Sequence, residues 1–390
     1  MNAAPQALGD LKVVEFGGYA AGPHIGKILA NFGATVVHVE SENRPDGFRL
    51  EYPPFKDGVA GVNRGGCFAF FNDSKYGVTI DLKTPEGLDH ARQLVDWADL
   101  LIENMRPGVM ARIGLGYEEL SKTNPDLIML STCNMGQTGP RAHTPGFGSQ
   151  LSSLAGFCGA TGDADGPPTL LYGPYIDFIA SVMGCSAALA ALDQRRRTGK
   201  GTWIDISQYE CGLHFMAGAL LAYHRDGILT DRQGNRDPEA APHGAYLCRD
   251  DCWLALSCWS NAEFQQLAEV LEYPELAGDE RFATIANRHD NAEALDECLA
   301  DCLRNRDAAN TAEQLQLAGV GAYPVNTISD LFSDPQLAAR RTWRRRKHEE
   351  IGEQAYLMPA FDLSSTPGDI SHAAPLLGAD NDVVLGEFLG

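Results

Sequence analysis

The chain has 390 residues, of which 44% are hydrophobic and 21% charged, with a formal net charge of −21. That length exceeds what one hydrophobic core usually serves, so two domains are expected, and the composition excludes a disordered or fibrous chain. The acidic balance excludes general affinity for nucleic acid, whose phosphates need a basic face, so any anionic ligand must be met by local cations.

The opening Met1-Asn-Ala-Ala-Pro5 has no basic segment followed by an apolar one, so no secretory signal is expected, and no run reaches the roughly 18 to 20 apolar residues that span a bilayer. The ten cysteines are scattered through the chain, which predicts reduced thiols in the cytoplasm. Cys248-x3-Cys252 and Cys298-x3-Cys302 lack the tight spacing and nearby histidine pairs of zinc sites, so no metal centre is predicted.

Leu11 to Phe16 reads as a strand running into the turn Gly17-Gly-Tyr-Ala-Ala-Gly-Pro23. His24 to Phe32 then has helical spacing, Gly33 stops it, and Ala34 to Glu40 is a second strand. A strand, glycine turn, helix and strand predict a parallel α/β sheet. Gly17, Gly18 and Gly22 do not fit the G-x-G-x-x-G dinucleotide spacing, although Glu40 stands where nicotinamide enzymes hold a ribose.

After a polar loop over residues 41–66, Cys67 to Phe71 leads to Asn72-Asp-Ser-Lys75 and a strand from Gly77 to Leu82. Thr84-Pro-Glu-Gly87 supplies a cap and a proline at the first helical position, which starts a helix reaching about Trp97. Leu100 to Ile102 and Leu127 to Ser131 are further strands, the former ending in Glu103-Asn-Met-Arg-Pro-Gly108. In an open α/β sheet the loops after the strands line one crevice, so Gly17 to Ala21, the region after Glu40, and Asn104 to Pro107 should share it.

Pro145 to Gln150 leads to an apolar helix and a glycine-rich turn, and then comes Tyr172-Gly-Pro-Tyr-Ile-Asp177. From Phe178 to Leu192 the chain is uncharged and rich in small residues, which predicts a helix packed on all sides. Asp177 stands at its start. Such a residue caps the helix, or it is a poorly hydrated carboxylate able to act as nucleophile or base. Arg195 to Gly201 closes this helix with cations that complement its dipole. Trp203 to Ser207 is a strand and Gln208 to Tyr223 a helix, which completes a first domain over residues 1–225.

Residues 226–325 read as a smaller α+β unit, with a hairpin around Asp250-Asp251 and helices near 261–272, 290–305 and 310–318. Residues 326–390 return to the large domain, beginning with a helix from Thr327 to Arg340. The basic run Arg340 to Lys347 fits a solvated surface or a subunit contact, and Val383 to Leu389 is a short amphipathic segment.

Phe16-Gly-Gly-Tyr-Ala-Ala-Gly-Pro23, Asn72 to Lys75, Asp81 to Gly87, Glu103 to Gly108, Pro145-Gly-Phe147, the Asp177 stretch, Thr198-Gly-Lys-Gly201, Gly234-Asn235 and Pro375-Leu-Leu-Gly378 resemble, in order, the class III coenzyme A transferases. The likeness covers nearly the whole chain. It implies a Rossmann-like large domain with a parallel sheet, a smaller inserted α+β domain, and an interlocked dimer of identical or related chains.

It also implies a reaction in which Asp177 attacks an acyl-CoA thioester, passing through an aspartyl anhydride and an aspartyl-CoA thioester to move coenzyme A (CoA) onto a free carboxylic acid. CoA is then a substrate, and no permanently bound cofactor is implied. Ala20 and Ala21 match the loop near the pantetheine and thioester. Asn72 to Lys75, and Asn104, Met105 and Arg106, match segments lining the nucleotide crevice. Arg112 matches a basic residue meeting the phosphates, and Phe147 an aromatic packed on the adenine.

Ala20 and Ser41 depart from residues of the formyl-CoA:oxalate enzyme, with Arg44 the nearest substitute for a missing arginine, and no glycine-rich lid is evident between Arg232 and Tyr246. These departures point away from oxalate. Tyr19, Phe70, Phe71, Tyr172, Tyr175 and Phe178 would border a bulkier acyl group or serve as packing. Two alternatives stay open: an α-methylacyl-CoA racemase-like isomerase, for which His143 is the histidine in the right region, and a noncatalytic CoA-binding subunit of a heteromer.

Overall fold

The computed structural model describes residues 6–390; the amino-terminal pentapeptide inspected for a leader lies outside them. The chain divides into two units. Unit 1 holds Met1–Phe157, Leu170–Leu229 and Gln336–Gly390, and unit 2 holds Cys158–Thr169 and Thr230–Pro335.

Unit 1 is built on six parallel strands: β1 (Lys12–Phe16), β2 (Thr35–Glu40), β3 (Tyr76–Thr79), β4 (Leu100–Glu103), β5 (Ile128–Cys133) and β6 (Thr202–Ser207). Their spatial order is β3-β2-β1-β4-β5-β6. The order reverses between β1 and β4, and the crevice outside such a switch point is where open α/β sheets bind ligands. The strands read as almost continuous Val, Ile and Leu because both faces are covered. Val13, Val36, Leu100 and Ile128 face one core, while Val14, Val37, Leu101 and Met129 face the other.

The helices of unit 1 are α1 (Ala21–Asn31), α2 (Gly47–Leu50), α3 (Gly66–Asn72), α4 (Pro85–Trp97), the single turns α5 (Val109–Arg112) and α6 (Tyr117–Leu120), α7 (Gly148–Leu154), α8 (Tyr175–Thr198), α9 (Gln208–Phe215) and α10 (Ala217–Asp226). The Thr84 hydroxyl accepts Gly87 N at 3.0 Å, the cap expected from the sequence at the start of α4. Where α1 crosses α8 the approach is close: a Cβ on Gly184 would lie 2.6 Å from Ile25 Cδ1.

Two expectations for α8 are corrected. It buries one face, through Ile176, Ala180, Ser181, Gly184 and Ala188, and leaves Val182 and Leu189 exposed. It is also long and apolar enough to cross a membrane by length and composition alone. Its packing against α1, α9, β5 and β6 makes it a core helix of unit 1.

The helix expected over Thr327 to Arg340 is two short turns, Ile328–Leu331 and Pro335–Ala339, and the basic run forms a strand, β10 (Trp343–His348), paired with β11 (Gly352–Leu357). Alternation explains it: Arg344 and Arg346 bind Asp369 while Arg345 pairs with Glu353. The carboxyl-terminal tail covers the sheet edge, with Gly77 N donating to Asp380 and Thr79 N to Asn381, each at 2.8 Å.

Unit 2 contains an antiparallel sheet, in the order β7 (His243–Leu247), β8 (Trp253–Ser257) and β9 (Gly321–Pro324). Helices at Asn261–Val270, Ala292–Leu303 and Ala308–Leu317 pack on it around Leu254, Phe264, Leu299 and Leu315. Residues 158–169 group with this unit, where Gly234 N donates to Gly162 O at 2.9 Å and Arg232 Nε to Gly166 O at 3.1 Å.

Candidate active site

At the carboxyl ends of β1 and β4 a cleft of about 950 Å³ opens within unit 1. Its walls include the turn Gly17 to Ala20, the stretch Asn104 to Pro107, the loop from Ala142 to Gly148, and Asp177. The volume is at the upper end of the usual range for small-molecule pockets.

Asp177 is the third residue of α8, and the helix's capping position is Pro174, without a side-chain cap bond. The capping reading of Asp177 is thereby corrected. Its Oδ2 is buried and has no hydrogen-bond partner. Burial pushes its pKa up to about 6, offset in part by its own backbone N–H. A Cβ on Gly148 would lie 2.0 Å from Oδ2, so the loop before α7 passes close against the carboxylate. Asn134 Nδ2 fixes that loop by donating to Gly146 O at 2.8 Å, and Gln150 Oε1 accepts Phe147 N at 3.0 Å. A carboxylate with one dehydrated oxygen on a ligand-sized cleft has the character of a nucleophile or a base.

Ala20, Asn104, Met105, Arg106 and Phe147 line the cleft. Phe147 is 58% exposed and meets Tyr19 edge-on at 6.0 Å. Ala21 is buried in α1 and does not line it.

Asn72 and Lys75 are wholly buried away from the cleft, which corrects their expected role. Lys75 Nζ contacts Glu15 Oε1 at 2.5 Å, Pro23 O at 2.8 Å and Asn72 Oδ1 at 2.8 Å. Glu15 lies inside the sheet and needs a counter-charge, so the lysine is spent there; burial pushes its pKa down against the pull of Glu15. Arg112 is exposed on α5 and outside the lining, beyond the turn at Gly108, where φ is 72°.

Arg44, Lys83, Arg106 and His143 line the cleft, and the side-chain charges of Arg44, Lys83 and Arg106 have no carboxylate partner among the described residues. The sequence had a signal for Lys83, which follows the strand ending near Leu82 and so belongs to the carboxyl-end crevice. Glu40 is not free for a ribose: Oε1 accepts Asp46 N and Arg49 Nε, each at 2.8 Å, and Oε2 accepts Arg49 Nη2 at 2.7 Å.

Of the aromatic side chains expected to border an acyl group, Tyr19 lines the cleft and donates its hydroxyl to Glu51 Oε2 at 2.7 Å. Phe70, Phe71 and Phe178 pack with Phe48 and Phe68. Tyr172 and Tyr175 are exposed outside the lining.

A family model described as CoA-transferase family III matches residues 8–381. The succinyl-CoA--D-citramalate CoA-transferase of Chloroflexus aurantiacus is 35% identical over 392 residues, covering 99% of this chain and 95% of the relative. The succinyl-CoA--L-malate CoA-transferase alpha subunit of Chloroflexus aurantiacus is 33% identical over 390 residues, covering 98% of this chain and 89% of that subunit. Among solved structures, a CAIB/BAIF family protein from Brucella suis matches with a TM-score of 0.91 at 31% identity, covering 98% of this chain and 99% of that one.

Proposed function

The chain belongs to CoA-transferase family III, and we propose that it moves CoA from an acyl-CoA thioester to a free carboxylic acid with Asp177 as the covalent nucleophile. The observation that carries this reading is the bare, buried Oδ2 of Asp177 on a cleft where the side-chain charges of Arg44, Lys83 and Arg106 have no carboxylate partner among the described residues.

An Asp177 oxygen attacks the thioester carbonyl, the C–S bond breaks, and an aspartyl anhydride and CoA thiolate result. The thiolate then attacks the aspartyl carbonyl, releasing the donor acid as its carboxylate and leaving an aspartyl-CoA thioester. The acceptor carboxylate attacks that thioester to form a second anhydride. The returning thiolate takes the new acyl group and frees Asp177. Each step exchanges acyl derivatives of comparable reactivity, so one hard substitution becomes several easier ones.

Arg44, Lys83 and Arg106 are suited to the phosphates of CoA, Phe147 to its adenine, and the Ala20 turn to the pantetheine arm. The relatives' names pair succinyl-CoA with D-citramalate and L-malate, which makes a small dicarboxylic acid the first acceptor class to assay. Asp177→Ala should abolish transfer; full activity in that variant overturns the reading.

The assembly proposed is an interlocked dimer, with a second copy or with a related chain. Its support is α10, which has no buried residue although it carries Leu220, Leu221 and Tyr223. A cytoplasmic setting suits the cysteines, all free thiols. A second reading, α-proton exchange on an acyl-CoA, has one observation in favour: His143 and Asp177 line the same cleft. Deuterium incorporation at the α-carbon without any acceptor acid would mark it. Transfer by the purified chain alone would exclude a noncatalytic subunit.

A further inference from the structure

The turn between β1 and α1 is held in a conformation that side-chain-bearing residues rarely adopt, with φ of 135° at Gly17 and 62° at Tyr19. Such a turn persists only where its surroundings over-determine it. Asp46 accepts Tyr19 N with both oxygens, at 3.0 and 3.1 Å, and Phe48 N at 2.8 Å. Asn104 accepts Gly18 N at 3.1 Å through Oδ1 and donates Nδ2 to Gly18 O at 2.7 Å. The fit leaves no space: a Cβ on Gly17 would lie 1.8 Å from Asn104 Oδ1, and one on Gly18 2.8 Å from Asp46 Cγ.

Asp46 is itself fixed from behind. Its N donates to Glu40 Oε1 at 2.8 Å, and its Oδ2 lies 3.7 Å from Nε2 of the buried His38, whose Nδ1 meets Glu15 at 2.7 Å. Glu15 holds Lys75. Beyond the turn, Ser181 Oγ lies 3.0 Å from Ala21 O and 2.7 Å from Asp177 O, its one proton available to either carbonyl, which ties the start of α1 to the first turns of α8.

We propose that Asp46 and Asn104 are positioning residues that act together as one clamp on the Gly17–Tyr19 turn, setting where Ala20 and the start of α1 stand relative to Asp177. The side chain of Asn104 is thus spent on the protein's own backbone, and Asp46 is anchored by its own N–H on Glu40. The catalytic part of this inference rests on the proposed CoA transfer; the clamp itself does not.

The test uses the full-length variants Asp46→Asn and Asn104→Asp, each close to isosteric, and the double variant. Hydrogen exchange of the peptide spanning residues 14–22 should speed up in each. The kcat for transfer should fall about 10- to 100-fold, as for a misplacement near 1 Å, with KM for acyl-CoA changed less than about threefold. The double variant should fall no further than the worse single one, because a clamp is lost only once. Unchanged exchange in the turn, or losses that multiply in the double variant, would overturn the proposal. Gly18→Ala presses a methyl against Asp46 while keeping every charge, and must reproduce both effects if either single variant fails to fold. A wild-type chain that transfers no CoA would defeat the reaction assigned above, while the exchange data would still decide the clamp.

Discussion

Asp177 and Gly148 are in contact through space that only a glycine leaves open: a Cβ at residue 148 would lie 2.0 Å from Asp177 Oδ2. The carboxylate would have to turn from its line of attack to accept a methyl group. Gly148→Ala is therefore expected to lower kcat by about 100-fold or more while the protein stays folded. Steady-state transfer assays alongside thermal melts check this, and a fully active variant would show that the contact does not govern the carboxylate.

The pKa of Asp177, raised to about 6 by burial, sets a pH dependence. The nucleophile is the ionised form, so kcat/KM should climb with pH and level off above about 6. For stability the sign is opposite. The folded state holds this proton more tightly than the unfolded one, so folding loses stability as pH rises from the unfolded pKa near 4 through the folded value. Asp177→Asn should accordingly raise the melting temperature more at pH 7.5 than at pH 4.5, with a limit of about 3 kcal/mol.

Lys75 and Lys83 separate structure from binding. Lys75→Met would strip the buried Glu15 of its lysine partner, and should cost about 3–5 kcal/mol of stability in chemical denaturation. Lys83→Ala should leave stability nearly unchanged and weaken CoA binding several-fold, as read by calorimetry. The reverse pattern would return Lys75 to the nucleotide crevice.

The apolar surface of α10 predicts an assembly. Leu221 is 65% exposed, and Leu221→Glu should shift the protein toward monomer in analytical ultracentrifugation. A wild-type chain that sediments as a monomer at micromolar concentration would contradict the interlocked dimer.

Much of unit 1 was legible because parallel strands buried on both faces write themselves as apolar runs, and because Thr84-Pro85 and Gly33 mark helix ends. Asp177 stood out as the lone carboxylate beside an uncharged helix. Other features were not legible for physical reasons. Nothing local distinguishes a lysine bound for a phosphate from one bound for Glu15, since the pairing joins residues 60 apart in sequence. Asp46 lies in a stretch that reads as polar loop, and its partners, Tyr19 N and Phe48 N, are backbone groups that leave no pattern in side-chain identity. The face of α8 that stays exposed is as apolar as the face that is buried, so periodicity could not tell them apart.

The central claim is that Asp177 becomes covalently attached to acyl and then to CoA. The direct measurement is to incubate the protein with an acyl-CoA, add borohydride, and read the peptide containing residues 172–192 by mass spectrometry. Reduction of an aspartyl-CoA thioester converts residue 177 to homoserine, and that conversion, dependent on acyl-CoA, is the result expected. An unmodified Asp177 in protein that is turning over, or homoserine at a different aspartate, would contradict the account.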